Sequence, residues 1–318
     1  MFNKLTAQEE LEQRIDQVHR EAGEGYVEVG PRSRTSRTGS RRTVFTGAGM
    51  EFFQAKQFFW GSDDPRTMLS RAAARSNGDV LYCRVNKPET QTTVYALFDI
   101  SRTLDFGYSR ESKLWLLARS AVTACFSLKA TQDLIMPALY ANNEISWRTL
   151  RATSPALVSR KLAGLILDPV YSTGRLESGL SQALNMVPAR GKCEVLLMSD
   201  FLNLTADQAA QLAEVSRKNS VRALILQDQR ERYLPEPPSW WPFPAPLRVF
   251  DMTTGKQYSW WLTRGNRQKY TAEFEAHERK LRQFFTDNGI HYQVVNTNEG
   301  QEATAKVVKL LSLPPLHR

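Results

Sequence analysis

The sequence predicts an α/β protein with a mostly parallel central sheet flanked by helices. Three observations predict it. From Thr93 onward, short apolar runs alternate with amphipathic helical patterns, the signature of βαβ units. Val94 to Phe98, Val195 to Ser199 and Val221 to Leu226 are apolar almost without a break, as strands covered on both faces are. Two of these runs close with a carboxylate, at Asp99 and Asp200, which sets two acids on one edge of the sheet.

Taken in order, residues 1 to about 22 read as one helix with Leu5, Leu11, Ile15 and Val18 on its apolar stripe. Thr6 and Glu9 suit a capping box, and Gly23 and Gly25 read as the stop. Residues up to 43 are rich in Gly, Ser, Thr and Arg and read as a linker, so 1–43 is taken as a helix plus an arginine-rich arm. Residues 44–92 concentrate Phe52, Phe53, Phe58, Phe59 and Trp60 and read as an extended, β-rich excursion packed on the main domain. The main domain is placed at 93–318.

Within it, a helix carries Leu114, Leu117, Ala118, Ala121 and Cys125 on one face. Runs at Leu134 to Tyr140 and Ile145 to Leu150 flank Asn142-Asn143 as a hairpin. Ser154-Pro155 starts a helix through Leu162 and Ile166. Thr205-Ala-Asp-Gln208 is a capping box for a helix with Leu212 and Val215. Six prolines and two tryptophans make Tyr233 to Pro246 an ordered loop. Arg248 to Asp251 and Tyr258 to Leu262 form a hairpin, Tyr270 to Phe284 a long helix ended by Gly289. His291 to Val295 is the last strand and Ala303 to Leu311 the last helix.

Composition bounds the function. The chain has 318 residues, 42% of them apolar, enough for a sizeable core. No apolar run is long enough for a transmembrane helix, and the acidic, amphipathic start is not a signal peptide. Cys83, Cys125 and Cys193 share no metal-ligand spacing and point to a reducing compartment, so a cytoplasmic location is expected. The net charge of +9 is uneven, because Arg32, Arg34, Arg37, Arg41 and Arg42 have no acid among them. They read either as a solvated arm or as a contact for an acidic partner, an anionic membrane or nucleic acid.

The chemistry gathers at Asp99-Ile-Ser101-Arg102-Thr103. Asp-x-hydroxyl-x-hydroxyl at the carboxyl end of a strand lets three oxygens converge, which a hard cation such as Mg²⁺ or Mn²⁺ accepts. The same residues also serve simply to cap the turn and the helix after it. Arg102 either points to solvent, stands near the cation position, or pairs with Asp105. No phosphate-binding loop and no nucleophile motif with a histidine occurs.

This stretch, with Leu104 and Phe106-Gly107, resembles the metal-ion-dependent adhesion site of von Willebrand factor A domains, whose pattern is Asp-x-Ser-x-Ser. Upstream, Gly47-Ala-Gly-Met-Glu-Phe-Phe, Gly61-Ser-Asp-Asp-Pro-Arg66 and Ala72-Ala-Ala-Arg75 resemble the bacterial von Willebrand A-like "domain of unknown function 58" proteins. Leu247 to Gly255 and Tyr270 to Leu281 resemble the closing strand, turn and helix of that family, so the likeness spans about residues 44 to 312. The chain departs from it at Met68-Leu-Ser70, where an Asp-Trp pair is usual.

The resemblance implies a von Willebrand A-like fold, a cation held by Asp99, Ser101, Thr103, a threonine from the 171–184 loop and Asp200, and an open coordination position filled by a partner's acid. Matching Leu176 and Leu180 puts that threonine position on Gly174. Either Thr173 (or Ser172) still reaches the ion or the site is incomplete. It further implies a non-enzymatic adaptor whose partners are a MoxR-type AAA+ ATPase and other von Willebrand A proteins. A metal-dependent hydrolase at the Asp99 and Asp200 edge, and nucleic-acid binding through the arginine arm, are the alternatives.

Overall fold

The computed structural model describes residues 7–29, 47–60, 64–69, 80–86, 92–105, 112–141, 144–168, 179–189, 193–235, 245–250 and 257–313. The chain divides into two compact units, Met1–Arg32 with Thr92–Lys129 and Asp133–Arg318, and Ser33–Gln91 with Ala130–Gln132.

The smaller unit is built on an antiparallel pair, β1 (Gly47–Gln57) and β2 (Tyr82–Asn86). Between them a 3₁₀ turn, Pro65–Thr67, is capped by Asp64, whose carboxylate accepts from Arg66 N at 2.9 Å. Of the aromatic cluster expected here as a packed wall, the side chains of Phe52 and Phe53 lie outside the described ones, and the other three are only partly buried. Phe58 is enclosed, whereas Phe59 and Trp60 are 58% and 73% exposed. Consecutive residues at a strand end point to opposite sides, and Trp60 instead meets the Phe58 ring edge-on at 5.1 Å.

The larger unit opens with α1 (Ala7–Val29) and continues with β3 (Thr93–Asp99), α2 (Lys113–Ala130), β4 (Leu134–Ala141), β5 (Glu144–Arg148) and α3 (Pro155–Leu167). Then come α4 (Leu180–Leu184), β6 (Glu194–Ser199), α5 (Ala206–Lys218), β7 (Ser220–Gln227) and the short α6 (Gln229–Arg232). The hairpin of β8 (Ala245–Phe250) and β9 (Gln257–Leu262), α7 (Arg264–Asp287), β10 (His291–Asn296) and α8 (Gln301–Ser312) complete it.

Six strands form one sheet in the order β10-β7-β6-β3-β4-β5, parallel except for β5, which runs antiparallel to β4. Side chains alternate between its faces. Val94, Ala96 and Phe98 of β3 join the cluster that α1, α2, α3 and α8 cover. Leu97 joins the other, under α4, α5 and α7. Helices on both faces explain why the strands carry unbroken apolar runs. Helix α2 is buried almost all round, which is why its sequence shows no clean polar face. The β8–β9 hairpin is a separate two-stranded sheet, with Tyr258, Trp260 and Trp261 exposed.

The first helix departs from expectation. It runs through Gly23 and Gly25 to Val29 instead of ending near residue 22. Both glycines lie where α1 crosses its neighbours. A Cβ on Gly25 would come within 3.1 Å of the Thr304 side chain on α8, and one on Gly23 would touch Phe126 of α2 at 3.8 Å. They permit close approach rather than a stop. The cap signals fare differently too, and Thr6 of the first expected capping box lies outside the described residues. Thr205 and Gln208 cap α5 reciprocally, at 3.3 and 3.2 Å. Ser154 occupies the N-cap of α3 without a side-chain cap bond, where Pro155 removes one donor needing a partner. Helix α7 begins six residues before its apolar stripe, because the Thr263 hydroxyl accepts from Asn266 N at 3.1 Å.

The α1–α8 crossing gives a direct test. Gly25→Val should lose about 1–3 kcal/mol of stability through overpacking. Gly265→Ala, whose Cβ meets nothing within 4 Å, should stay within about 0.5 kcal/mol of wild type. Urea unfolding of both measures the contrast. Equal effects would mean that the crossing is looser than it looks.

Candidate functional site

Three adjacent strands end in polar side chains on one face of the sheet. Asp99 of β3 is in register with Tyr140 of β4, and on its other side lies Ser199 of β6. All three are buried. The Ser199 hydroxyl donates to Asp99 Oδ2 at 2.7 Å and accepts from Phe201 N at 3.1 Å. The Tyr140 hydroxyl is enclosed beside Asp99 and Ser199.

The chain then turns so that the motif residues fold back on Asp99. Ile100 N donates to Tyr140 O at 3.0 Å, and Ser101 N donates to Asp99 Oδ1 at 2.8 Å. A 3₁₀ turn, Arg102–Asp105, is closed by Leu104 N on Ser101 O. It brings Ser101 Oγ to 3.0 Å from Thr103 Oγ1. At metal–oxygen distances near 2.1 Å, neighbouring ligands of an octahedral ion stand roughly 3 Å apart. The two hydroxyls are therefore spaced like one edge of such a shell, beside a carboxylate.

A cleft at this edge is lined by Asp99, Ser101, Thr103, Ser199 and Asp200, with Leu180, Phe201 and Leu204 as walls. Phe201 holds a left-handed backbone, φ 54°, unusual for a bulky residue. Its ring packs edge-on against Phe285 at 5.2 Å, which keeps the strained turn in place. Gly179 seats α4 against the sheet, where a Cβ would lie 2.7 Å from the Glu144 carbonyl.

Electrostatics set this edge apart. Burial, and then the nearby charge of Asp200, push the Asp99 carboxyl up from 3.8 to about 6, against the pull of the Ser199 and Ser101 bonds. Asp200 is tied elsewhere. Its Oδ2 is 2.9 Å from Lys113 Nζ and its Oδ1 accepts from Leu202 N at 3.3 Å. Lys113 also meets Glu231 Oε1 at 2.7 Å. Burial pulls the ammonium down, but the two carboxylates outweigh it and hold Lys113 above its ordinary value. Burial raises Glu231 in turn, partly offset by Lys113. Asp200 and Glu231 thus face one ammonium, and with Asp99 beside Asp200 the cluster carries surplus negative charge when ionised.

Of the expected ligands, Asp99, Ser101 and Thr103 converge. Asp200 shares their cleft but turns an oxygen to Lys113. Thr173 and Ser172 lie outside the described residues, as do Arg32, Arg34 and Arg37. Arg102 is half-buried, lies off the cleft lining, and acts with Arg14 on the charge of Asp105. Lys113, Glu231 and Tyr140 were not among the expected residues. A lone lysine heading an apolar helix was the available signal for the first; Glu231 offered none. Among the described residues no group of three or more His, Cys, Asp or Glu side chains is placed to hold a metal. A cation here would depend on hydroxyls and water, a set that suits Mg²⁺ or Mn²⁺.

A family model described as "Protein of unknown function DUF58" matches residues 54–281. No curated protein matches the chain. Among solved structures, the conserved hypothetical protein BatB from Bacteroides thetaiotaomicron is similar at 15% identity and a TM-score of 0.43, over 69% of this chain and 97% of that one. An aerotolerance-related membrane protein from Bacteroides fragilis follows at 17% identity and a TM-score of 0.41, over 69% and 98%. A von Willebrand factor type A protein from Catenulispora acidiphila gives 15% and 0.32, over 45% and 34%.

The cytoplasmic location expected from the sequence is contradicted by the second of these similar proteins, which is described as a membrane protein. That expectation rested on scattered cysteines and on the lack of a long apolar run. Neither bears on attachment to a membrane by other means. Among the described residues no helix is long and apolar enough to cross one.

The buried acid supplies a prediction. The folded Asp99 keeps its proton up to about 6, whereas an unfolded aspartate releases it near 3.8. The folded chain binds more protons in between, so this group's contribution is full below the unfolded value and fades as pH rises through the folded one. In chelator, wild type should lose stability over that interval. Asp99→Asn should show a flatter profile and be of order 2 kcal/mol more stable near neutrality. Urea unfolding across the range measures both. A less stable Asp99→Asn at neutral pH would show that the charge is compensated in the fold.

Proposed function

We propose that this chain, which belongs to the DUF58 family, is a non-enzymatic interaction protein that presents a divalent cation at the carboxyl edge of its sheet. The observation that carries the reading is the Ser101–Thr103 hydroxyl pair, at octahedral spacing beside a buried Asp99. A Mg²⁺ or Mn²⁺ ion there would be held by Asp99, Ser101 and Thr103, and would supply a coordination position for an acidic side chain of a partner. The side chains do the rest. Ser199 and Ser101 N orient the Asp99 carboxylate, and Leu180, Phe201 and Leu204 narrow access to it.

The engagement of both Asp200 oxygens, by Lys113 and by Leu202 N, weighs against the hydrolase alternative, which needs a second acid free to act on water. The partner proposed from the family resemblance is a MoxR-type AAA+ ATPase, with other von Willebrand A proteins as further candidates and assembly of protein complexes as the context.

Thermal melts in EDTA, Mg²⁺ and Mn²⁺ test the cation. An ion at about a hundred times its dissociation constant should stabilise wild type by about 2.7 kcal/mol and leave Asp99→Ala unmoved. No shift in wild type at millimolar ion, or an equal shift in Asp99→Ala, would overturn the reading. Pull-down with a purified MoxR-type ATPase, with and without chelator, tests the partner. Capture by Asp99→Ala as strong as by wild type would remove the ion from the interface.

A further inference from the structure

We infer that Lys113 is a positioning residue that holds Asp200 off the cation, leaving the ion with one carboxylate in its own shell. The inference rests on the cation reading above. Lys113 Nζ lies 2.9 Å from Asp200 Oδ2 and 2.7 Å from Glu231 Oε1, with side-chain exposures of 0%, 4% and 13%. A compact ammonium in contact with a carboxylate competes for the lone pairs that a cation would take.

The ammonium cannot follow Asp200 into the cleft, because Glu231 anchors it from behind. Helix α6, which carries Glu231, is fixed at both ends. Asp228 caps it by accepting from Arg230 N at 2.8 Å. Tyr270 Oη donates to Glu231 O at 2.8 Å. Asp200 is held on its other side by Leu202 N. For Asp200 to turn towards an ion, a buried ion pair must break and leave Lys113 with Glu231 alone.

The consequence concerns what the open position accepts. An ion bound by two carboxylates is neutralised and gains little from a third. An ion bound by Asp99 alone has one charge of its shell offset rather than two, so a further anionic ligand gains more from joining it. The ligand class that fits is therefore a carboxylate side chain, a Glu or Asp on a partner surface.

Mn²⁺ titration near neutral pH, followed by the resonance of the free ion, tests the assignment on the full chain. Asp200→Asn should bind Mn²⁺ within about twofold of wild type, since Asp200 is no ligand while Lys113 holds it. Lys113→Met should bind about tenfold tighter, as the released Asp200 joins the ion. That gain should vanish in Lys113→Met/Asp200→Asn, a dependence that general loss of structure would not produce. Should Lys113→Met not fold with two acids stranded, Lys113→Met/Glu231→Gln removes one of them and should show the same gain.

Loss of Mn²⁺ binding by about tenfold or more in Asp200→Asn would make Asp200 a ligand and overturn the inference while leaving the cation reading intact. A Lys113→Met gain that persists without Asp200 would also overturn it. Failure of every protein to bind Mn²⁺ would remove the cation reading, and this inference with it.

Discussion

The buried contact of Lys113 with Asp200 and Glu231 is what the carboxyl edge of the sheet depends on. Asp99 and Asp200 are both enclosed and both acidic, and a sheet edge with two uncompensated carboxylates would repel itself apart. One ammonium at the head of α2 settles half of that conflict. The other half remains at Asp99, which is why its carboxyl is pushed up and why the hydroxyls gathered around it matter. The same ammonium links elements distant in sequence, since Asp200 follows β6 and Glu231 belongs to α6. The packing of α2 over the sheet thereby becomes inseparable from the electrostatics of the cleft.

Much of this fold was legible because its signals are strong and local. The apolar runs of β3, β6 and β7 need no context to be read as strands covered on both faces. The Asp-x-Ser-x-Thr turn was legible as chemistry, since its spacing alone brings Asp99, Ser101 and Thr103 together. What failed was punctuation. Gly23 and Gly25 read as a stop, yet they serve a crossing with Thr304 and Phe126, elements far along the chain. The start of α7 was hidden because Arg264 to Lys269 carry no apolar repeat, and only the Thr263 cap marks it. Glu231 was invisible for a related reason. Its role exists only once α6 is seated beside α2.

The strained residue of the site has a similar logic. Phe201 holds a positive φ directly after Asp200, and its ring is wedged against Phe285 of α7. The turn that orients Asp200 is therefore held by a helix that begins more than sixty residues later. Site geometry here is a property of the packed unit rather than of the motif.

That dependence separates the span by which relatives are recognised from the span that can fold. The matched segment, 54–281, starts after α1 and stops inside α7, before β10 and α8. Yet Ile15, Val18 and Ala22 of α1 and Ala303, Val307 and Leu310 of α8 share one core cluster with β3 and α2. Phe285, the support of the Phe201 turn, also falls outside. A fragment cut to the recognised boundaries would keep Asp99, Ser101, Thr103 and Asp200 and lose two of the four helices that cover one face of the sheet. Heredity and folding thus draw different borders around the same molecule, and work on the isolated motif must follow the second.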